Sequence, residues 1–336
     1  MPRYANYAII LGAGASYGSM AGATTPPLDS NFLKVAGTSL SGRSRSVGDR
    51  NAWKGLIKAL KKAGIEKEHA ISQRLEQLAT YLEARSNMSS LQLGRGQPKR
   101  YAEALDRLKD VICRTLEARN GTNACKLHRL LFERVNPSAV ITFNYDLIAD
   151  QTLLDLGKLN WAHSEYAGSK TMIVKRKRPY VPRRNVSNRV RMLKLHGSMN
   201  WNKNRRGGSH SLVCSSVPTR SLQYKDSPKD PLIVPPIASK IDIHDGALRR
   251  QWALAVAELR TAPGWIIWGY SFPATDTVTQ VLCRTALARH RKHKPVIVVN
   301  PDFSTQERVK QLVGKVRIEQ WSSIERFLLE AGALSI

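Results

Sequence analysis

The apolar positions of this chain follow two alternating patterns. Tyr7–Leu11, Ala139–Thr142, Trp265–Trp268 and Pro295–Val299 are short continuous apolar runs. The first and third stop at glycine and the last at Asn300. Runs of that length, closed by turn residues, predict strands buried on both faces. Val190–Leu195 predicts another strand, ending at His196-Gly197. Leu232–Val234 predicts a strand that must stop at Pro235-Pro236, and Lys315–Ile318 predicts an edge strand. Between the runs the spacing becomes helical. Trp53, Leu56, Ile57, Leu60 and Ala63 share one helix face, as do Ile71, Leu75, Leu78 and Leu82, and then Leu105, Leu108, Val111, Ile112 and Leu116. Asp146–Leu156, Ala247–Arg260, Thr277–His290, Phe303–Val313 and Ile324–Ala331 predict further helices. Gly37–Arg50, rich in Ser, Gly and Arg, predicts a surface loop.

Strands alternating with helices imply an α/β fold, a parallel sheet covered by helices on both faces. The helical stretch 51–134 reads as an inserted subdomain. Residues 1–50 and 135–336 supply the sheet domain, within which 170–191 reads as a basic loop. No repeat of fixed period is present.

The 336 residues are 42% hydrophobic and 24% charged, an ordinary globular composition. Charge changes the picture. With 53 Lys and Arg against 26 Asp and Glu, the formal net charge is +27, which predicts attraction to polyanions. Lys170–Arg191 carries nine basic residues and no acid. Its Lys175, Arg176, Lys177 and Arg178 are candidates for contact with nucleic acid or an acidic partner, or form a solvated loop. The four cysteines stand apart, with no C-x-x-C pair, which argues against a disulfide framework or a four-cysteine zinc site and fits a cytoplasmic chain. No run approaches the roughly 18 apolar residues of a membrane span, and the first apolar run is too short for a signal peptide.

Five motifs follow the predicted strands. Gly12-Ala13-Gly14-Ala15-Ser16 could cradle a pyrophosphate on free amides, or could pack a helix on a strand; Tyr17 stands where a third glycine would complete G-x-G-x-x-G. Thr142-Phe-Asn144-Tyr-Asp146 offers an amide to position a water or a ribose hydroxyl, and a carboxylate that could equally cap a helix. Leu195-His196-Gly197 places a histidine at a strand end, as a general base or as a structural group; Gly197 is expected to leave room for a substrate. Gly269-Tyr270-Ser271, with Asp276 beyond it, and Asn300-Pro-Asp302 could each hold a ribose, or form a turn and helix cap. In open parallel sheets, ligands bind beyond the carboxyl ends of the strands, where all five motifs fall.

In this order and spacing, from Tyr7 to about Phe327, the five motifs resemble the sirtuin (silent information regulator) superfamily. The resemblance implies a Rossmann-like domain that takes NAD as substrate. Gly12, Ala13, Gly14, Ala15 and Ser16 would face the pyrophosphate, and Asn144 and His196 would be the catalytic pair. Asp146 would lie near the nicotinamide amide, Gly269, Tyr270 and Ser271 near a ribose and phosphate, and Asn300 near the adenosine ribose. Sirtuin deacetylases carry two C-x-x-C pairs beyond the catalytic histidine. Here Trp201–Asp230 holds only Cys214, so no zinc module is expected. The Asn-Tyr-Asp and His-Gly-Ser-x-x-Trp wording is similar instead to bacterial sirtuin-like effectors, which hydrolyse NAD in antiphage defence. Those act as homo-oligomers or with a second protein such as a HerA-type ATPase, a short Argonaute or a phage-protein sensor. The alternatives are an NAD-dependent deacylase or ADP-ribosyltransferase, and a basic nucleic-acid- or partner-binding module with a non-catalytic nucleotide site.

Overall fold

The computed structural model describes residues 4–18, 25–88, 97–159, 172–173, 190–203, 212–214, 231–235, 246–273, 276–287, 294–314 and 316–331. The chain opens with β1 (Ala8–Leu11) and α1 (Ala13–Gly18). A short 3-10 turn follows at Asp29–Asn31. The helices α2 (Phe32–Ser41), α3 (Val47–Lys62), α4 (Lys67–Ser72), α5 (Leu75–Asn87), α6 (Gln97–Ala118) and α7 (Lys126–Val135) come next. Then come β2 (Ala139–Thr142), α8 (Ile148–Asp155), β3 (Met172–Ile173), β4 (Arg191–Lys194), β5 (Gly197–Lys203), β6 (Leu212–Cys214) and β7 (Pro231–Ile233). The last part is α9 (Gly246–Thr261), β8 (Trp265–Trp268), α10 (Thr277–Leu287), β9 (Val296–Val299), α11 (Phe303–Val313), β10 (Ile318–Trp321) and α12 (Ile324–Glu330).

Six strands form one sheet in the order β10-β9-β8-β1-β2-β4, with every pairing parallel. Numbered along the chain within that sheet, the order is 3-2-1-4-5-6 read from the β4 edge, the Rossmann arrangement. Alternate residues of the central strands feed opposite cores, as a period of two requires. Ile9, Leu11, Val140, Ile266, Trp268, Ile297 and Val299 join one face. Ala8, Ile10, Ile141, Trp265, Ile267, Val296 and Val298 join the other. The first face is continuous with the apolar sides of α2, α3, α5 and α6, through Leu40, Leu56, Leu60, Leu78 and Leu108. Helices α9, α10 and α11 cover the second face.

Three local expectations change. Gly37–Arg50 is no loop, for α2 and α3 run through both its ends. Gly37 lies where α2 meets the Trp53 ring, and a Cβ there would stand 3.1 Å from it, so this glycine serves helix packing. Leu232–Val234 does contain a strand, but β7 belongs to a second, four-stranded sheet ordered β3-β6-β5-β7 and pairs antiparallel with β5. The cause is Gly197, whose φ of +80° turns the chain out of the parallel sheet just past His196. The edge strand β10 starts at Ile318 rather than Lys315, after Gly314 closes α11 at φ +69°. Lys175–Arg178 lie outside the described residues, and among the described helices none is long and apolar enough to cross a membrane.

One core group is acid-sensitive. His128 on α7 is fully buried, with its ring 4.5 Å from that of Trp268 and 5.7 Å from that of Phe132. Burial pushes its pKa down from 6.5 to about 3. Between those values the unfolded chain binds a proton that the folded chain refuses, so stability present above pH 6.5 is lost as pH falls toward 3. The full loss would be roughly 4–5 kcal/mol from this group. We expect His128→Phe to flatten the decline in thermal midpoint between pH 6.5 and 4. A decline as steep as that of the wild type would remove His128 as its source.

Candidate functional site

The order of the sheet reverses at β1, which lies between β2 and β8. The loops leaving β1 and β8 therefore emerge side by side. They fit because glycine backbones touch. A Cβ on Gly12 would stand 2.4 Å from Tyr270 Cα, one on Gly14 2.9 Å from Gly269 Cα, and one on Gly269 2.0 Å from the Ala15 nitrogen. Gly12 N donates to Trp268 O (3.0 Å), Gly14 N to Gly269 O (2.8 Å) and Ala15 N to Gly12 O (2.9 Å). These amides are spent on the seam. The glycine motif thus acts first as a packing device, and of its two sequence readings the free-amide cradle loses Gly12, Gly14 and Ala15.

Over this seam opens a cavity of about 750 Å³, within the range of about 300–1,000 Å³ usual for ligand sites. Ala13, Gly14, Ser16, Asn144, Asp146, His196, Gly269, Tyr270, Ser271 and Asn300 all line it. Gly12 and Ala15 stand behind the wall, Ala15 fully buried. The five motifs, spread over some 290 residues, thus meet at one sheet edge.

Asn144 follows β2. Its Nδ2 donates to Gly12 O and to Ser16 Oγ, both at 2.9 Å. A backbone carbonyl can only accept, so the amide orientation is fixed and Oδ1 remains as acceptor. Ser16 Oγ donates in turn to Asp146 Oδ2 at 2.7 Å. Asp146 Oδ1 accepts from the Ile148 amide at 3.1 Å, a side-chain turn that leads into α8, whose N-cap is Leu147; Asp146 is also a buried wall residue. Burial pushes its carboxyl above the ordinary value, against the opposing pull of Lys194, Ser16 and the Ile148 amide.

His196 follows β4 and is buried. Its ring lies edge-on to Phe143 at 5.1 Å and 6.3 Å from Trp252. Gly197 leaves no space for a substrate, contrary to the sequence expectation. A Cβ there would meet Leu232 O at 2.0 Å, so its role is to let the second sheet approach. Phe143 stacks on Tyr270 at 4.3 Å, and the Tyr270 hydroxyl donates to Asp276, which also caps α10 through the Thr279 amide. Burial holds the Tyr270 hydroxyl well above its ordinary pKa, so it remains a donor. Asn300 Oδ1 accepts from the Asp302 amide at 2.9 Å, shaping the turn into α11.

Several wall and support residues escape the motif reading. Tyr145 lines the cavity and its hydroxyl donates to Val234 O at 2.6 Å, tying the β2 loop to the second sheet. Lys194 is fully buried, with Nζ 2.9 Å from Asp150 Oδ2 and also bonded to Asp146 O. A lysine at the buried end of a largely apolar strand, and an aspartate in the first turn of α8, are the signals that could have found this pair. Arg74, at the start of α5, lines the cavity beside Asp29, Nε to Oδ2 2.6 Å. Nothing in the local sequence marks it. Among the described residues no group of His, Cys, Asp and Glu could hold a metal ion.

No protein-family model matches the chain, and no curated protein matches it. Among solved structures it is similar to one described as a crystal structure of a Sir2 homolog–NAD complex. The identity is 15%, the match covers 97% of this chain and 87% of that one, and the TM-score is 0.43. The Rossmann-like assignment rests on the strand order of the chain itself.

Breaking the buried ion pair tests the support of the site. Lys194→Met removes the cation paired with the buried Asp150, a loss of about 3–5 kcal/mol. The double variant Lys194→Met/Asp150→Leu is expected to recover most of it in denaturant unfolding. A double variant no more stable than the single would show that the pair does not carry the cost.

Proposed function

We propose that the cavity takes NAD as substrate and that the chain hydrolyses it to nicotinamide and ADP-ribose. The observation that carries the proposal is the convergence of Asn144 and His196, from the ends of two strands, on one wall with the glycine seam at the reversal of sheet order. The cavity volume suits a dinucleotide-sized ligand. The stacked Phe143 and Tyr270 rings give it an apolar wall that excludes water.

Cleavage breaks the bond from nicotinamide to ribose C1′ through an oxocarbenium-like transition state. Nicotinamide leaves from a cationic ring, so the demand on the protein is orientation and a single nucleophile rather than acid assistance. Asn144 Oδ1, the acceptor left over once Nδ2 is engaged, orients the attacking water. His196 polarises or deprotonates a ribose hydroxyl. The buried Asp146 carboxylate, held behind Ser16, favours positive charge developing on the ribose.

The biological role that fits this reading is antiphage defence by NAD depletion in the cytoplasm, triggered by self-assembly or by a second defence protein. The net charge of +27 supports an anionic partner, with Lys175, Arg176, Lys177 and Arg178 as the contact. Neutralising those four residues should then weaken low-salt binding of DNA or RNA. Absence of binding by the wild type at low salt would end that part of the proposal.

Chromatography of NAD incubated with purified protein tests the reaction. Nicotinamide and free ADP-ribose should appear with the wild type and fall at least about 100-fold with Asn144→Ala or His196→Ala, the loss usual for a positioned catalytic group. Full activity of Asn144→Ala would overturn its role. Radiolabel retained on protein would point to ADP-ribosyl transfer instead. If the isolated chain is silent, the same comparison is made with nucleic acid and candidate partners added.

A further inference from the structure

Although the chain is strongly basic, its cavity wall is not. The described lining residues include six acids, Asp29, Glu76, Asp146, Asp276, Asp302 and Glu325, and a single lysine or arginine, Arg74. The glycine loop has already committed the amides of Gly12, Gly14 and Ala15 to the seam. A diphosphate entering this cavity gains nothing from those three amides, and Arg74 is the one lysine or arginine it meets among the described lining residues. Building on the proposed NAD reading, we propose that Arg74, contributed by the helical stretch between β1 and β2, is the diphosphate-binding residue of the site.

The geometry supports this role. Asp29 accepts from Arg74 Nε at 2.6 Å through Oδ2 and from the Glu76 amide at 2.8 Å through Oδ1. One carboxylate thus fixes both the guanidinium and the first turn of α5. The pair uses only Nε, so the terminal nitrogens keep four N–H donors in the planar fork that matches phosphate oxygens. The Arg74 side chain is 57% exposed and that of Asp29 29%, so the guanidinium is accessible while its carboxylate partner is the more covered of the two. Asp29 acts as the positioning residue, and Arg74 touches the ligand. This places part of the substrate-binding function on the helical stretch, which carries none of the five strand-end motifs.

Calorimetric titration of ADP-ribose into the full chain tests it. Arg74→Ala should weaken ADP-ribose binding about tenfold or more, as expected for losing charge-assisted bonds to phosphate. Arg74→Lys should fall between, keeping the charge without the fork. Asp29→Asn, which removes the ion pair but leaves the guanidinium, should weaken binding measurably but by less than Arg74→Ala, because only the positioning is lost. Affinity of Arg74→Ala within twofold of the wild type would overturn the inference. So would an Asp29→Asn variant as weak as Arg74→Ala, because the pair would then act as a latch of α5 alone. A wild-type chain that binds neither ADP-ribose nor NAD would overturn the NAD reading itself, and this inference with it.

Discussion

The structure depends on one close approach, that of the β1 and β8 loops at the reversal of sheet order. Two adjacent parallel strands send their chains out at the same height, and any Cβ in the seam would overlap backbone. A Cβ on Gly269 would stand 2.0 Å from the Ala15 nitrogen, at a residue whose φ is +66°. No rotamer change relieves an overlap between two backbones. With glycines in place, two cross-loop hydrogen bonds close the seam and set where α1 begins. The Gly12 carbonyl is then in position to accept from Asn144, so the orientation of the proposed catalytic amide follows from the packing of the glycines.

From that carbonyl a polar chain runs inward: Asn144 to Ser16, Ser16 to Asp146, and Asp146 O to Lys194, which pairs with Asp150. It links the ends of β1, β2 and β4 to α8. Such a buried network is costly unless each group is satisfied, and when satisfied it admits few alternative arrangements. Burial raises the Asp146 carboxyl, and Asp150 adds to the rise, against the opposing pull of Lys194, Ser16 and the Ile148 amide. Under the NAD reading, a carboxylate buried at this end of the cavity favours a cationic ring and positive charge on a ribose.

The sheet was readable from sequence because its central strands are continuous apolar runs broken by glycine or asparagine, a pattern that burial on both faces imposes. Ala139–Thr142 and Phe303–Val313 match their predicted bounds. The second sheet was not readable. Its strand β5 buries Ser198 and Asn200, whose side chains bond each other at 2.6 Å, so the residues lining its interior look like a polar loop. Gly37 misled for the opposite reason, since a glycine used for helix packing has the same letter as one used for a turn. In the site, the strand-end motifs were visible because position in a parallel sheet and residue chemistry coincide there. Arg74 and the Lys194–Asp150 pair were not, because their importance lies in contacts made across 45 and 44 residues of chain.

The charge of the chain and the charge of its cavity act at different distances. The exposed lysines and arginines set a long-range positive field, which salt screens within about 8–10 Å. That field draws any polyanion to the surface without choosing among them. Choice belongs to the wall, where the described lining residues include six acids and one arginine. A ligand of uniformly negative charge gains at Arg74 and loses elsewhere. A ligand with a diphosphate at one place and a cationic ring at another can match both the arginine and the buried carboxylate of Asp146. Under the NAD reading, the acids on the wall of this basic protein are what favours a zwitterionic dinucleotide over nucleotides that carry more phosphate and no cation.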